Sequence, residues 1–105
     1  MKDVDMHGLG EVARRAFEQV TRHTDAFIVS FDIDVCDPNL APGVGTPVRG
    51  GFTFREAHLV MELAAEQDKL MSVEVVEFNP AFDDEFTTGE LTISLVESAL
   101  GKSIL

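Results

Sequence analysis

Apolar residues in the first third of the chain repeat with the spacing of a helix. The stripe begins at Leu9, after polar and turn-like residues 1–8, and recurs every three or four positions as far as Val20. This spacing indicates an amphipathic helix. The run 26–31 (AFIVSF) is short, almost continuously apolar and rich in aromatic and β-branched residues. Such a run is typical of a strand that is buried on both faces.

A long loop and a second helix follow. Residues 32–51 contain three of the four prolines and four of the eight glycines, so their composition predicts a loop. Thr53 and Glu56 have the spacing of a capping box, in which each side chain satisfies a backbone N–H at the start of a helix. We therefore expect a helix from this point to about Asp68.

The last part of the chain predicts one more strand and one more helix. The strand covers 71–78 (MSVEVVEF) and is ended by an Asn-Pro pair, because proline cannot continue a strand ladder. After an acidic loop, Thr87 and Glu90 repeat the capping-box spacing and predict a helix as far as Leu100. Gly101 then provides a helix stop.

The order helix, strand, loop, helix, strand, helix predicts an α/β fold with a parallel sheet and right-handed crossovers. Two parallel strands that are apolar on both faces need neighbouring strands at their edges and helices on both sides. We therefore expect residues 1–105 to form a single partial domain, one part of a three-layer α/β fold or of an assembly that completes the sheet.

Charge and composition narrow the functional classes. The 105 residues have a net charge of −11, which argues against nucleic-acid binding and against a polybasic membrane-surface segment. At 45% hydrophobic residues the chain is too apolar for a disordered acidic segment. The first residues do not have the basic, apolar and small-residue pattern of a leader, so we do not expect secretion. The single cysteine, Cys36, favours a reducing compartment such as the cytoplasm.

Carboxylates follow both predicted strands. Asp32 and Asp34 come directly after the first strand, at the carboxyl edge where open α/β sheets bind ligands. Paired carboxylates suit Mg²⁺ or Mn²⁺, although Asp-x-Asp also serves as ordinary turn and cap chemistry. Glu77 lies near the end of the second strand and could bind a guanidinium cation in bidentate fashion, whereas Glu74 could form a salt bridge under a covering helix.

Other candidate groups have simpler interpretations. The stretch 41–51 is not a phosphate loop, because it has no Gly-Lys-Ser/Thr sequence; it is either an ordered functional loop or a plain connection. The three histidines have no metal-ligand spacing, and we expect a surface or supporting position for His58. Cys36 has no histidine beside it and is expected to be a small buried side chain.

The motifs together resemble the C-terminal part of the ureohydrolase family, and within it the bacterial arginases. The resemblance covers nearly the whole chain but only about the last third of a family member. It depends on the following segments, in this order and spacing: 30–34 (SFDID), 37–38 (DP), 41–51 (APGVGTPVRGG), 55–58 (REAH) and 74–80 (EVVEFNP).

The resemblance implies a parallel α/β sheet with a site for two Mn²⁺ at the carboxyl edge of its strands. By matching position, Asp32 would bridge the two metals and Asp34 would bind one of them. Glu77 would bind the substrate guanidinium, with Thr46 in the active-site loop near the substrate. The motif positions Arg55 and Glu56 imply intersubunit salt bridges in a homo-trimer or hexamer.

The resemblance also implies a reaction. A hydroxide shared by the two metals attacks the guanidinium carbon of L-arginine and yields L-ornithine and urea. The family's other ligands come from an Asp-x-His-x-Asp cluster and a Gly-Gly-Asp-His segment, and neither occurs in this sequence. Two carboxylates hold at most half of a two-metal site, so we expect the chain to be inactive by itself.

Three alternatives stay open at this point. The chain could belong to an agmatinase-type ureohydrolase, because the residues that recognise the α-carboxylate and α-amine lie mostly upstream. It could be a non-catalytic relative that acts as an interaction module, in which case Met1 would be the true start. It could also be an unrelated Asp-x-Asp metal enzyme such as a nucleotide-sugar transferase, which gives no reason for the segment 77–80 (EFNP).

Overall fold

A computed structural model describes residues 1–104 of the chain. From Leu9 onward its helices and strands alternate as the sequence predicts, and two short 3₁₀ turns follow the strands. The elements are α1 (Lys2–His7), α2 (Leu9–Arg22), β1 (Phe27–Asp32), a 3₁₀ turn (Ile33–Val35), α3 (Phe54–Ala65), β2 (Leu70–Val76), a second 3₁₀ turn (Pro80–Phe82) and α4 (Thr87–Ala99).

The first helix was not expected, because residues 1–8 were predicted to be turn-like. Asp3 and Asp5 lie in the first turn of α1 and His7 in its last turn, an arrangement that complements the helix dipole. Gly8 has a φ of 81°, a conformation that glycine adopts readily. This glycine separates α1 from α2.

The amphipathic stripe of α2 is confirmed at its centre. Leu9, Ala13 and Phe17 are buried, and the Phe17 ring lies 5.7 Å from that of Phe27 on β1. The stripe weakens towards the end of the helix, where Val20 is 37% exposed. Burial of the central residues attaches α2 to the sheet.

The capping box that opens α3 is confirmed. The Glu56 carboxylate accepts the Thr53 backbone N–H at 2.8 Å, and the Thr53 hydroxyl accepts the Glu56 N–H at 3.3 Å. Hydrogen bonds from the Thr53 backbone and hydroxyl hold the pKa of Glu56 below its usual value. The charged carboxylate therefore stabilises the first turn of α3.

The prediction of a second capping box at the start of α4 is wrong. The Thr87 hydroxyl donates to the Asp84 carbonyl oxygen at 2.6 Å, and the residue before the helix, Phe86, has a left-handed φ of 65° with no side-chain cap. Asp83 provides the acceptors instead, receiving the N–H groups of Thr88 at 2.9 Å and Gly89 at 3.0 Å. A carboxylate from outside the predicted motif has replaced the threonine.

β1 and β2 form a two-stranded parallel sheet, as predicted for an α/β fold. The register sets Phe31 opposite Val75 and Asp32 opposite Val76. Alternate residues along the strands pack into the apolar core beneath α2, α3 and α4, where α3 contacts both of its helical neighbours. The core residues of the sheet are Phe27, Val29, Phe31, Val73 and Val75.

Burial of both strand faces is not seen. Ile28 is 62% exposed, and Ser30 and Glu74 on the same face are exposed. The reason is that α2, α3 and α4 all pack on one face and no described element lies on the other. Each strand also has one unpaired edge within residues 1–104. The described residues therefore supply the sheet and one helical layer.

The loop between β1 and α3 is folded back on itself. Phe52 and Val35 are joined by a backbone hydrogen bond of 2.8 Å, and the Asp37 carboxylate accepts the N–H groups of Asn39 and Gly50, each at 3.0 Å. A Cβ atom on Gly51 would lie 2.3 Å from the Val35 carbonyl oxygen, so only glycine permits this close approach. Residues 33–53 thus form an ordered loop.

Two of the remaining predictions concern buried groups. His58 is completely buried, so of the two expected positions the surface one is wrong and the supporting one stays a prediction; its ring nitrogens contact the Phe54 carbonyl oxygen at 2.8 Å and the Ser94 hydroxyl at 3.1 Å. Cys36 is buried as expected, and burial raises its pKa to about 11. Such a thiol is mostly unreactive near neutral pH.

None of the helices in residues 1–104 is long and apolar enough to cross a membrane.

The exposed sheet face and the unpaired strand edges predict self-association of the isolated chain. Ile28→Lys should reduce this association, because a charge on the exposed face of an edge strand opposes strand pairing. Sedimentation velocity over a range of protein concentrations measures the effect. Ile93→Lys is the matched control, since Ile93 is 54% exposed on α4. A wild-type chain that stays monomeric at all concentrations contradicts the partial-domain hypothesis.

Stability should fall in acid. Hydrogen bonds from Asn39 and Gly50 lower the pKa of Asp37. A carboxyl with a lowered pKa in the folded state stabilises the protein above its unfolded pKa of about 4, and this contribution is lost as the pH falls through the folded pKa. The free energy of unfolding, measured in urea by circular dichroism, should therefore decline below about pH 4.

Asp37→Asn should make that decline less steep and lower the stability at pH 7, because the amide cannot provide two charged acceptors. The matched control is Asp25→Asn, at an exposed residue before β1. An Asp37→Asn protein with the pH dependence of the wild type would contradict this explanation.

Candidate functional site

Three carboxylates lie at one edge of the sheet. Asp32 ends β1 opposite Val76, the last residue of β2. Asp34 lies in the 3₁₀ turn directly after β1, and Glu77 directly follows β2. Since the strands are parallel, their carboxyl ends meet at the same edge. The chain therefore brings all three predicted acids to the position where α/β sheets bind ligands.

Asp32 and Asp34 are linked by a local turn. One oxygen of the Asp32 carboxylate, Oδ1, accepts the Asp34 N–H at 3.1 Å. This bond caps the 3₁₀ turn, so the expected cap chemistry is present. The turn also interrupts the strand, so the strict alternation of side chains does not apply to Asp34. The second oxygen of Asp32, Oδ2, accepts no hydrogen bond from residues 1–104.

Thr46 reaches this turn from the long loop. Its hydroxyl donates to Oδ2 of Asp34 across twelve positions of sequence. The loop is also joined to the segment after β2, because the Asn79 N–H donates to the Gly43 carbonyl oxygen at 2.8 Å and Val44 forms a bridge with Phe78. These contacts show that the loop is ordered, and its functional role stays a prediction.

The backbone of Glu77 is strained. Its φ of 66° lies in the left-handed region, which costs a non-glycine residue about 1–3 kcal/mol. Such conformations cluster at functional sites, where surrounding contacts hold them in place. Nothing in the sequence around Glu77 signals this conformation.

Glu74 does not form the expected salt bridge under a helix. Its carboxylate accepts the Ser30 hydroxyl at 2.7 Å on the exposed sheet face. The two residues are paired in the strand register. This bond joins neighbouring strands and lies on the face away from the helices.

The donor chemistry at the sheet edge fits a hard divalent cation, but the number of donors is small. Asp32 and Asp34 each keep one carboxylate oxygen that accepts no hydrogen bond within the described part of the chain. Carboxylate oxygens suit Mn²⁺. However, residues 1–104 contain no group of three or more His, Cys, Asp or Glu side chains placed to hold a metal. The two aspartates can therefore supply only part of a metal site.

Arg55 and Glu56 lie in the first turn of α3. The Glu56 carboxylate takes part in the capping box described above. Arg55 is exposed and forms no ion pair with any residue of the described chain. Their role in an interface between subunits stays a prediction.

Sequence reasoning missed two residues next to the site. Asp83 and Thr88 connect the start of α4 to Gly43, because the Thr88 hydroxyl accepts the Gly43 N–H at 2.8 Å. The available signal was an aspartate shortly before a helix, a common capping residue. The Thr87 and Glu90 spacing concealed this signal by offering an apparently complete alternative.

Comparison with known proteins agrees with these features. The model of the arginase family matches residues 1–101. The arginase of Brucella melitensis is 41% identical over 105 residues, which are all of this chain and 34% of that protein. The crystal structure of arginase from Bacillus subtilis is 42% identical with a TM-score of 0.93, and the match covers all of this chain and 37% of that one. The arginase structure from Bacillus caldovelox is 40% identical with a TM-score of 0.94, covering all of this chain and 35% of that one.

The chain thus spans about a third of the length of the curated relatives that it matches. Over that span its fold follows the solved arginases from end to end. Because the family model matches residues 1–101, a span that includes both strands and the three carboxylates, the chain belongs to the arginase family.

Proposed function

We propose that residues 1–105 form the C-terminal third of a manganese-dependent arginase, which hydrolyses L-arginine to L-ornithine and urea. The observation that carries the proposal is the placement of Asp32, Asp34 and Glu77 at one edge of a parallel sheet. The named relatives with about 41% identity are arginases, which supports arginine rather than a decarboxylated substrate.

Asp32 and Asp34 would hold the metal through their remaining carboxylate oxygens. The Thr46 hydroxyl binds the other oxygen of Asp34 and therefore limits the rotation of that carboxylate. When bound, a pair of Mn²⁺ ions supplies hydroxide near neutral pH by lowering the pKa of water. The protein's contribution here is to fix the direction of the ligand oxygens.

Glu77 would bind the guanidinium group of the substrate. A carboxylate and a guanidinium can form two parallel hydrogen bonds, which fix orientation as well as distance. Glu77 directly follows β2, at the edge of the sheet where β1 ends in Asp32, and this position supports the role. The substrate carbon is thereby held beside the metal ligands.

The same proposal covers the location and the oligomeric assembly of the whole protein. The enzyme works in the cytoplasm as a homo-trimer or hexamer, with Arg55 and Glu56 at the interface. The exposed position of Arg55 and the single buried cysteine support these features. The missing metal ligands come from the part of the enzyme outside these residues.

The isolated chain should produce no urea. Two carboxylates cannot hold the metal pair, and the described residues contain no third ligand placed beside them. A colorimetric urea assay with Mn²⁺ and arginine, at saturating concentrations of both, measures this. Robust turnover by the purified chain would contradict the assignment of an incomplete site.

A hybrid enzyme tests the residue roles. In it, this chain replaces the matching part of the Bacillus caldovelox arginase, which is 40% identical over 105 residues. The hybrid should form urea from arginine with Mn²⁺, and Asp32→Ala should abolish activity. Glu77→Gln should lower kcat/KM roughly 10- to 100-fold, because a hydrogen bond to a charged group is lost.

Glu90→Gln is the matched control for Glu77→Gln. Glu90 is exposed on α4, and its neutralisation should leave kcat/KM unchanged. A folded hybrid with no turnover of arginine would support a non-catalytic relative.

A further inference from the structure

The start of α4 is held by a side chain that lies outside the helix. Both oxygens of the Asp83 carboxylate accept backbone N–H groups: Oδ1 from Thr88 at 2.9 Å and Asp84 at 3.0 Å, and Oδ2 from Gly89 at 3.0 Å. Burial by itself would raise the pKa of Asp83, but the hydrogen bonds from Thr88, Gly89 and Asp84 together outweigh it and lower the pKa. The carboxylate is therefore charged near neutral pH.

Thr88 connects the start of α4 to the long loop. Its backbone N–H donates to Asp83, its side chain is completely buried, and its hydroxyl accepts the Gly43 N–H at 2.8 Å. A Cβ atom on Gly43 would lie 2.9 Å from Cβ and Cγ of Asp83, so a side chain at position 43 would disrupt this contact. The loop is therefore packed closely against the segment that precedes α4.

Gly43 in turn joins the segment that follows β2. Its carbonyl oxygen accepts the Asn79 N–H at 2.8 Å. Gly43 lies three positions before Thr46, and Asn79 lies two positions after Glu77. A continuous chain of hydrogen bonds therefore runs from Asp83 through Thr88 and Gly43 to Asn79. Thr46 and Glu77 each lie within three residues of a member of this chain.

The backbone around this chain is strained. Glu77, Glu85 and Phe86 have left-handed φ angles of 66°, 45° and 65°. Non-glycine residues keep such angles only where several surrounding contacts together hold the backbone in that conformation. The Phe86 ring is packed against Gly89, where a Cβ atom would lie 2.2 Å from it. The contacts of Asp83 are at the centre of this strained segment.

We infer that Asp83 and Thr88 are positioning residues for the site, because they join the loop that carries Thr46 to the segment that carries Glu77. This inference rests on the proposed function. Neither residue touches substrate or metal. They act by fixing the distance between the hydroxyl that orients Asp34 and the carboxylate that receives the guanidinium.

Amide hydrogen exchange in the 105-residue chain tests the connection. Thr88→Val removes the hydroxyl at nearly constant shape, and the Gly43 amide should then exchange roughly tenfold faster, with faster exchange at Asn79 as well. Thr88→Ser keeps the hydroxyl and should restore the wild-type rates. Thr92→Val is the control, because the Thr92 hydroxyl bonds only within α4, to the Thr88 carbonyl oxygen at 2.8 Å.

Two results would overturn the connection. One is an unchanged Gly43 rate in Thr88→Val; the other is an equal acceleration at Val29 and Val73 in the sheet, which would mean a general loss of stability. If Thr88→Val does not fold, Asp83→Asn decides instead. Its amide has one acceptor oxygen, so Gly43 and Gly89 should exchange faster while the sheet amides keep their rates.

The hybrid enzyme described above tests the positioning role. Thr88→Val should raise the KM for arginine several-fold more than it lowers kcat, and Thr88→Ser should restore KM. An active hybrid whose KM is unaffected by Thr88→Val overturns the positioning role. Hydrogen exchange uses neither metal nor substrate, so an inactive wild-type hybrid would contradict the proposed function while the exchange rates still decide whether the connection exists.

Discussion

The parallel pairing of β1 with β2 is the constraint on which the candidate site depends. The register that sets Asp32 opposite Val76 also places Asp34 and Glu77 just beyond the strand ends. A slip by one residue would move Phe31 from the core to the exposed face. Burial of Phe31 against the helices therefore holds the same register that brings the acids together. In this way the apolar core and the polar site are specified by one set of contacts.

The site also requires conformations that local preference opposes. A glutamate with left-handed backbone angles is unfavourable by itself, and Glu77 keeps them because the next residues are bound on several sides. Val44 forms a bridge with Phe78, and Gly43 accepts the Asn79 N–H. The loop thus supports the backbone of the residue proposed to bind substrate. Stability of the loop and geometry of the site are coupled for this reason.

The two capping boxes show where sequence reasoning succeeds and where it fails. At Thr53 and Glu56 both partners lie within one helical turn, and both hydrogen bonds of the box form. At Thr87 and Glu90 the spacing is the same, but the free N–H groups at the start of α4 donate to Asp83 instead. The left-handed conformations of Glu85 and Phe86 turn the chain back so that this carboxylate lies beside them. A motif that is defined by spacing alone does not show whether a turn brings another acceptor close to the same N–H groups. Burial of His58 was missed for a similar reason, since Ser94 reaches it from another helix.

The sequence alone determined the order of the helices and strands, the parallel arrangement, the carboxylates after each strand and the family resemblance. These follow from periodicity, capping and spacing, which act over a few neighbouring residues. Only the tertiary structure decided that Thr46 bonds to Asp34, that Glu77 is strained, and that Asp83 and Thr88 join the loop to α4. It also decided that the helices cover one face of the sheet. These features depend on groups far apart in sequence, whose distances are set by packing and not by local preference.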